Sequence, residues 1–269
     1  HKQRIMEADL SEIDQSLGKM KDTKIFKTVF SKMAKMKSSY EAKISDVAMR
    51  VEIARDNLGK TENEKVVSGA KVTMYMLAKQ RASNPHLNPV LDHVNETVTM
   101  SSTKHIDNKT KDMIKDVSDG FVVIKEDGME DVEAMFNALS KKEKDAVRVL
   151  RKDLDNQSNT AYEPRLHDDV NATPFIKDYY PIGSIDADFN SELESKMKKP
   201  SFRSDNLKHD REVGSRARAL SFNPFNVVFN TAKGTYFQDS FLHENRVINR
   251  MFDNIDKDKS ISREERTIA

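Results

Sequence analysis

Apolar residues recur at spacings of four and three through residues 3–156, and no other feature of the sequence constrains the fold as much. The clearest case spans residues 40–58, where six apolar residues fall on one face of an α-helix. They are Tyr40, Ile44, Val47, Val51, Ala54 and Leu58. Gly59 follows as a stop for this helix. The spacing therefore predicts a series of amphipathic helices.

Two pairs of residues have the spacing of a capping box, in which each side chain binds the backbone N–H of the other residue. Thr61 with Glu64 opens one helix, and Ser140 with Glu143 opens another. Both pairs predict that a helix begins directly after the first residue of the pair. The helix after Thr61 has an apolar face that includes Val66, Ala70, Met74 and Leu77.

The sequence between these two helices predicts a loop and further helices. The loop covers residues 84–89, because its two prolines break the helical pattern. Helices are predicted over about 90–102 and about 108–125. Asp127 with Glu130 has the spacing of a cap for the helix that follows.

The composition changes in residues 156–185, which contain three prolines and several Asn, Asp, Ser and Thr residues. Such a stretch favours extended or irregular chain. Asn223 followed by Pro224 predicts an N-cap and a proline in the first helical turn. These residues open a helical pair over about 224–253, which is interrupted near Gly234.

These patterns predict an all-α fold, a multi-helix assembly with a Pro-rich irregular segment and a C-terminal helical pair. They divide the chain into a helical domain over residues 1–156, an irregular and partly basic connecting segment over residues 157–222, and a C-terminal helical segment over residues 223–269. A chain of 269 residues is long enough to bury a core.

The sequence predicts no enzyme and no catalytic residue. It contains no cysteine, which excludes disulfides, zinc–thiolate sites, iron–sulfur clusters and cysteine nucleophiles. It also lacks a phosphate-binding glycine loop, a Gly-x-Ser-x-Gly elbow and a His-Glu-x-x-His pair. No apolar run approaches the roughly 18 residues of a membrane span. The first residue is His1, and we expect a piece of a longer polypeptide, or a processed or partly ordered chain. In a longer polypeptide, an enzyme site could lie in the other parts of the chain.

One stretch of the chain is strongly basic, although the whole sequence has a net charge of only +1. Between residues 196 and 218, eight basic residues stand against three acidic ones. A stretch of this kind contacts a phosphate backbone by releasing counterions, and it also suits an acidic protein surface or solvent. DNA contact and protein docking therefore both stay open. The basic residues are Lys196, Lys198, Lys199, Arg203, Lys208, Arg211, Arg216 and Arg218.

Residues 254–265 have the spacing of a calcium-binding EF-hand loop. Two departures weaken calcium binding, because Lys259 occupies the glycine position and the first ligand is a neutral amide. The alternative is a simple helix–loop–helix link, in which Ser262 and Glu265 form a capping box. The sequence thus predicts no cofactor, and Ca²⁺ is the alternative that this loop leaves open. Its ligands would be Asn254, Asp256, Asp258 and Glu265.

Three short groups of residues follow one another between about 160 and 253. An irregular acidic tract ends in Asp178-Tyr179-Tyr180-Pro181-Ile182, a basic element contains Pro200-Ser201-Phe202-Arg203, and Asn223-Pro224-Phe225 opens a helical run through Tyr236, Phe241 and Val247. This order is similar to segments of very large bacteriophage virion proteins, the polyvalent kind that is packed in the capsid and ejected with the genome. Some of these proteins also carry a virion RNA polymerase. The resemblance implies a helical virion segment near DNA, and it names no catalytic residue.

The resulting expectation is a structural or interaction segment of a phage virion protein, internal to the particle or ejected with the genome. Its partners would be other virion proteins or other segments of a longer chain, and its location the virion, or otherwise the cytoplasm. The alternatives are a nucleic-acid-binding helical module that uses residues 196–218 and a calcium-binding helical protein that uses residues 254–265.

Overall fold

The structure is a computed structural model, which describes residues 24–99, 107–168, 178–181 and 220–257. These residues form seven α-helices and no strand, so the predicted all-α fold is confirmed. None of these helices combines the length and the apolar composition that a membrane crossing requires. The helices are α1 (Lys24–Leu58), α2 (Glu62–Ser83), α3 (Val90–Thr99), α4 (Asn108–Phe121), α5 (Val132–Ala138), α6 (Lys141–Asp168) and α7 (Pro224–Lys257).

The described residues group into two compact units. Residues 24–45 and 235–257 belong to the first unit, and the residues described between 46 and 234 belong to the second. Helices α1 and α7 contribute residues to both units. Helix α6 continues past residue 156, where the sequence predicts the end of the first helical domain. The units therefore divide within helices, at positions different from those of the three parts predicted from the sequence.

Aromatic and methionine side chains form the core of the first unit. The rings of Phe237 and Phe241 stack with their centroids 4.5 Å apart, and Tyr40 meets Phe237 edge-on at 5.8 Å. Burial raises the pKa of the Tyr40 hydroxyl. Lys43 forms an ion pair with Asp239 beside these rings. The core consists of Met33, Met36 and Phe241, with Val29, Tyr40 and Phe237 packed against them.

Helix α2 is the centre of the second unit. Helices α3, α4, α5 and α6 all pack against it. The sequence predicts one apolar face, but the polar Thr73 and Gln80 are buried too, because neighbouring helices cover several sides of α2. Its buried residues are Gly69, Ala70, Val72, Thr73, Met74, Tyr75, Met76, Leu77, Ala78 and Gln80.

The capping boxes predicted at Thr61 and at Ser140 are confirmed. The Thr61 hydroxyl accepts from the Glu64 N–H at 3.3 Å, and the Glu64 carboxylate accepts from the Thr61 N–H at 3.2 Å. The Ser140 N–H donates to the Glu143 carboxylate at 2.7 Å, and the Glu143 N–H donates to the Ser140 hydroxyl at 3.3 Å. Backbone hydrogen bonds lower the pKa of Glu64. Local sequence therefore determines where α2 and α6 begin.

Gly59 directly follows the last residue of α1, as predicted, and the structure shows a steric reason for glycine at this position. A Cβ atom at Gly59 would lie 2.5 Å from the Cβ atom of Glu64, which the capping box holds in place. Real Cβ atoms essentially never approach that closely. Glycine therefore allows the tight connection between α1 and α2.

The predicted end of α4 near residue 125 is wrong, because the helix ends at Phe121 and a short hairpin follows. In this hairpin the Lys125 N–H donates to the Met129 carbonyl at 2.8 Å, and the Asp131 N–H donates to the Val123 carbonyl at 2.7 Å. The physical reason lies in the β-branched run of residues 122–124, which favours extended chain.

The predicted cap of α5 is also wrong. Asp127 accepts from the Met129 N–H at 2.9 Å inside the hairpin turn. The N-cap is instead Asp131, whose carboxylate accepts from the Ala134 N–H at 3.0 Å. Glu130 has turned inward and is buried, so it cannot cap the helix.

The predicted interruption of the C-terminal helical pair is likewise absent, since α7 continues through Gly234. Its start is confirmed, because Pro224 is the first helical residue and the Asn223 side chain accepts from the Asn226 N–H at 3.2 Å. A single glycine costs a helix about 1 kcal/mol, which continuous hydrogen bonding on both sides outweighs.

A buried ion pair joins α2 to the hairpin. The Arg81 guanidinium donates to the Glu130 carboxylate at 2.7 Å, and the other carboxylate oxygen accepts from the Val90 N–H at 2.9 Å, at the start of α3. The Arg81 Nε also donates to the Leu87 carbonyl at 3.2 Å. Only 1% of the Glu130 side chain is exposed. This pair therefore closes the loop at residues 84–89 and fixes the hairpin on α2.

We expect Glu130→Ala to lower the free energy of unfolding by about 3 kcal/mol, because it leaves Arg81 charged and largely buried without its partner. Urea unfolding followed by circular dichroism measures the change. Glu133→Ala is the matched control, since Glu133 is exposed in the first turn of α5 and its loss costs less than about 1 kcal/mol. Equal losses in the two variants would contradict the role given to the pair.

Candidate interaction site

The basic residues predicted to contact nucleic acid or protein lie outside the described residues. All eight, from Lys196 to Arg218, fall within residues 182–219. Their role stays a prediction. The described residues on either side of this segment show how its two ends are attached to the helices. We call these two points of attachment the anchors, and together they form the candidate site.

The predicted calcium loop begins at the end of α7. The backbone of Asn254 and Asp256 is helical, whereas Asp258 and Glu265 lie outside the described residues. Calcium binding stays a prediction, which a calorimetric titration with millimolar Ca²⁺ would test. A titration without a heat signal would contradict it. In the part of the chain that the structure describes, no cluster of three or more His, Asp or Glu side chains could hold a metal ion.

The first anchor consists of residues 178–181. Asp178 adopts a left-handed backbone conformation with φ of 57°, which Asp tolerates better than most residues. Its carboxylate accepts from the Ser83 hydroxyl at 3.0 Å and lies 3.5 Å from the Lys79 ammonium. The turn at Asp178 is therefore fixed to the C-terminal end of α2.

Helix α6 holds the same anchor from another side. The Arg151 guanidinium donates to the Tyr179 carbonyl at 2.8 Å, and Asp155 on the same helix accepts two further hydrogen bonds from it. Tyr180 is 2% exposed and Pro181 is buried. One arginine thus fixes the backbone of the segment while the next two residues enter the core.

The second anchor consists of residues 220–225. The Leu220 N–H donates to the Thr97 hydroxyl of α3 at 3.0 Å, and that hydroxyl donates to the His93 carbonyl at 2.8 Å. A Cβ atom at Gly69 of α2 would lie 3.4 Å from Cδ of Pro224, so the chain crosses α2 at close range. The apolar side chains of this anchor are buried, namely Leu220, Phe222 and Phe225.

The two anchors belong to the same unit and flank residues 182–219 in the sequence. The side chains of both anchors pack or hydrogen-bond within the second unit. Sequence reasoning missed Arg151, Ser83 and Thr97 as parts of the anchors, because each of them acts on a residue far away in the chain. Two of the three short groups of residues noted between about 160 and 253 in the sequence, Asp178–Ile182 and Asn223–Phe225, begin in these anchors.

A second buried polar group lies where α1, α6 and α7 meet within the second unit. The Arg50 guanidinium donates to one carboxylate oxygen of Asp153, from Nε at 3.0 Å and from Nη2 at 2.7 Å. Asp153 and Gln157 are 1% and 2% exposed. The Gln157 amide donates to the Val228 carbonyl of α7 at 3.4 Å. The hydrogen bond to Asp153, and to a smaller extent the one to Asp46, raises the pKa of the Arg50 guanidinium.

Comparison of the chain with protein-family models, with curated proteins and with solved structures finds no match. The geometry of the anchors and of the buried polar groups is therefore the basis for assigning a function.

We expect Arg151→Met to loosen the first anchor, because it removes a charge-assisted hydrogen bond to the Tyr179 carbonyl. Such a bond contributes about 1.5 kcal/mol, so local opening should become roughly tenfold more frequent. Limited digestion with chymotrypsin, which cuts after Tyr179 but not before Pro181, measures the opening rate.

Arg148→Met is the matched control for this experiment. Arg148 lies three residues earlier on α6, its side chain is 69% exposed, and it pairs with Asp145 on the same helix. Its loss should leave the digestion rate at Tyr179 unchanged. If both variants are cut at the wild-type rate, Arg151 does not hold the anchor.

Proposed function

We propose that the chain is a structural and interaction segment of a bacteriophage virion protein, internal to the particle or ejected with the genome. One observation carries the proposal. The residues that resemble those virion proteins are used for packing: Tyr180 and Phe225 are buried, and Asn223 caps α7. A resemblance that lies in packing residues favours a shared scaffold over a shared reaction.

The use of buried charge supports the same proposal. Arg81 with Glu130 joins α2 to the hairpin, and Arg50 with Asp153 joins α1 to α6. Charged groups of this kind orient helices, and the exposed helix faces stay available for assembly. The partners would be other virion proteins or other segments of a longer chain.

The proposal predicts that peptides of this chain occur in purified phage particles. Particles sedimented from the source culture are analysed by quantitative mass spectrometry before and after triggered genome release. Peptides that leave with the DNA support an ejected segment, and peptides that stay in the emptied particle support a fixed structural one. An abundant ribosomal protein serves as the contamination control. Levels no higher than this control would exclude the virion proposal.

We propose nucleic-acid contact through residues 196–218 as a second function. The observation that favours it is the position of the two anchors, which fix both ends of residues 182–219 on one unit. A basic segment with fixed ends loses less conformational entropy on binding than a free arm does. Its charge of +5 supplies the attraction to phosphate groups.

Replacing Lys198, Lys199, Arg203 and Arg216 by Gln should weaken binding to duplex DNA and flatten its dependence on salt. The slope of log K against log salt is negative, and its magnitude should decrease by about 0.9 for each phosphate group that the variant no longer neutralises. Fluorescence anisotropy at several salt concentrations measures both quantities.

The matched control removes the same charge from exposed positions of the described helices and loops. It replaces Lys60, Lys141, Lys142 and Lys152 by Gln. The control should keep most of the affinity if contact is local to residues 196–218. Equal losses in both variants would show that overall charge, and not this segment, attracts DNA.

A further inference from the structure

The outer edge of the hairpin carries two backbone groups that no described residue uses. The hairpin is antiparallel, and Ile124 lies opposite Glu130 in it. The hydrogen bonds of this pairing come from the residues before and after Ile124, through the Val123 carbonyl and the Lys125 N–H. Because backbone groups alternate in direction along a strand, the N–H and C=O of Ile124 point away from the hairpin. Neither group has a hydrogen-bond partner among the described residues.

The same edge carries apolar side chains that are exposed to solvent. Val123 and Ile124 are each 42% exposed, and the other exposed large apolar residues of the described helices and loops are Met49 and Ile53 on α1. Side chains of the β-branched type pack well against a neighbouring strand. Unused backbone groups beside exposed β-branched residues are the features of an edge strand that accepts a further strand.

The edge is already fixed in the single chain. Glu130, which faces Ile124 across the hairpin, is buried in its ion pair with Arg81 of α2. The Gly128 N–H closes the turn by donating to the Lys125 carbonyl at 3.0 Å, and Gly128 adopts its φ of 79° without strain. Pairing at this edge therefore loses little free energy to the ordering of the hairpin.

The length and the charges of the edge favour a second copy of the chain as the partner. The extended stretch covers only residues 122–125, because α4 ends directly before it and the turn begins directly after it. A second copy presents an edge of the same length, so neither strand has to pass the end of a helix or a turn. Two copies related by a two-fold axis at Ile124 would lie antiparallel, and each Ile124 N–H would donate to the Ile124 carbonyl of the other copy.

This register also avoids direct opposition of like charges. It places Ile124 opposite Ile124 and Lys125 opposite Val123 of the second copy, and β-branched residues form favourable pairs across strands. A register centred on Lys125 would instead place the two lysines directly opposite each other, which destabilises a strand pair.

We propose that two copies of the chain associate by pairing their hairpin edges, antiparallel and about a two-fold axis at Ile124. The pairing joins two hairpins of two strands into one sheet of four strands. The contact is small, so the dissociation constant should be on the order of 0.1 mM. The inference goes beyond the proposed function and holds whether or not the chain is a virion segment.

Sedimentation velocity of the full chain at physiological salt, from about 10 µM to about 1 mM, measures this association. Ile124→Pro removes the outward N–H but no hydrogen bond of the hairpin, because the bonds of the hairpin come from Val123 and Lys125 on this strand. It should weaken association roughly tenfold or more, since each copy loses its donor. Circular dichroism checks that the variant keeps the helix content and melting temperature of the wild type.

Ile53→Lys is the matched control, because it removes an exposed apolar residue from α1 and leaves the hairpin edge intact. Its dissociation constant should equal that of the wild type. Lys125→Thr should tighten association by about twofold to fivefold, because it adds a β-branched residue and removes a charge that lies diagonally across from its own copy. Hydrogen exchange of the Ile124 amide should slow as the concentration of the wild type rises.

Three outcomes would overturn the proposal. A dimer that persists unchanged in folded Ile124→Pro does not use this edge, and a dimer that Ile53→Lys abolishes uses α1 instead. A chain that stays monomeric up to about 1 mM has no second copy at the edge, which would then suit an extended strand of another protein. If Ile124→Pro does not fold, Lys125→Thr decides the question, because association that is unchanged or weaker in that variant contradicts the pairing.

Discussion

The enclosure of helix α2 by four neighbouring helices is the constraint on which the second unit depends. Each buried Met, Leu or Val side chain of α2 contributes about 1.5–3 kcal/mol to folding. Enclosure also removes water from polar groups at the end of the helix, and an unpaired charge there would cancel much of that gain. Arg81 therefore needs Glu130, and this pair positions the loop at residues 84–89 and the hairpin at residues 122–131.

Sequence predicted the starts of α2, α6 and α7 correctly because capping is a local interaction. Thr61 and Ser140 each find their partner three residues later, within the same turn of helix. The end of α4 has a local cause, the β-branched run of residues 122–124, but the cap of α5 was mispredicted because its cause is not local. Glu130 has the right spacing for a cap with Asp127, but its actual partner is 49 residues away on α2. Local rules cannot weigh a contact that forms only when the helices pack.

The buried polar residues of α6 could have been predicted from the helical periodicity of the sequence. Asp153 and Gln157 continue the buried face that Ala146 and Leu150 begin, at spacings of four, three and four. A carboxylate on a buried face requires a partner, so the spacing indicates that one exists. It does not identify the partner, since Arg50 lies 103 residues earlier on α1. The existence of the site was predictable, whereas its composition depended on the fold.

The anchors also limit which residues can carry out the proposed function. Asp178, Tyr180 and Phe225 act through packing and hydrogen bonds inside the second unit, so any partner must be contacted by other residues. The exposed faces of the described helices and the basic residues between the anchors are two candidates for that contact. The helix faces carry both signs of charge, as the exposed pair Arg148 with Asp145 illustrates, and they suit protein partners. Residues 196–218 carry a charge of +5, and an attraction that is screened by salt is expected there. A partner of the helix faces should therefore bind with little dependence on salt, and a partner of the basic segment with a strong one. The salt dependence of binding thus identifies the surface in use before any residue is replaced.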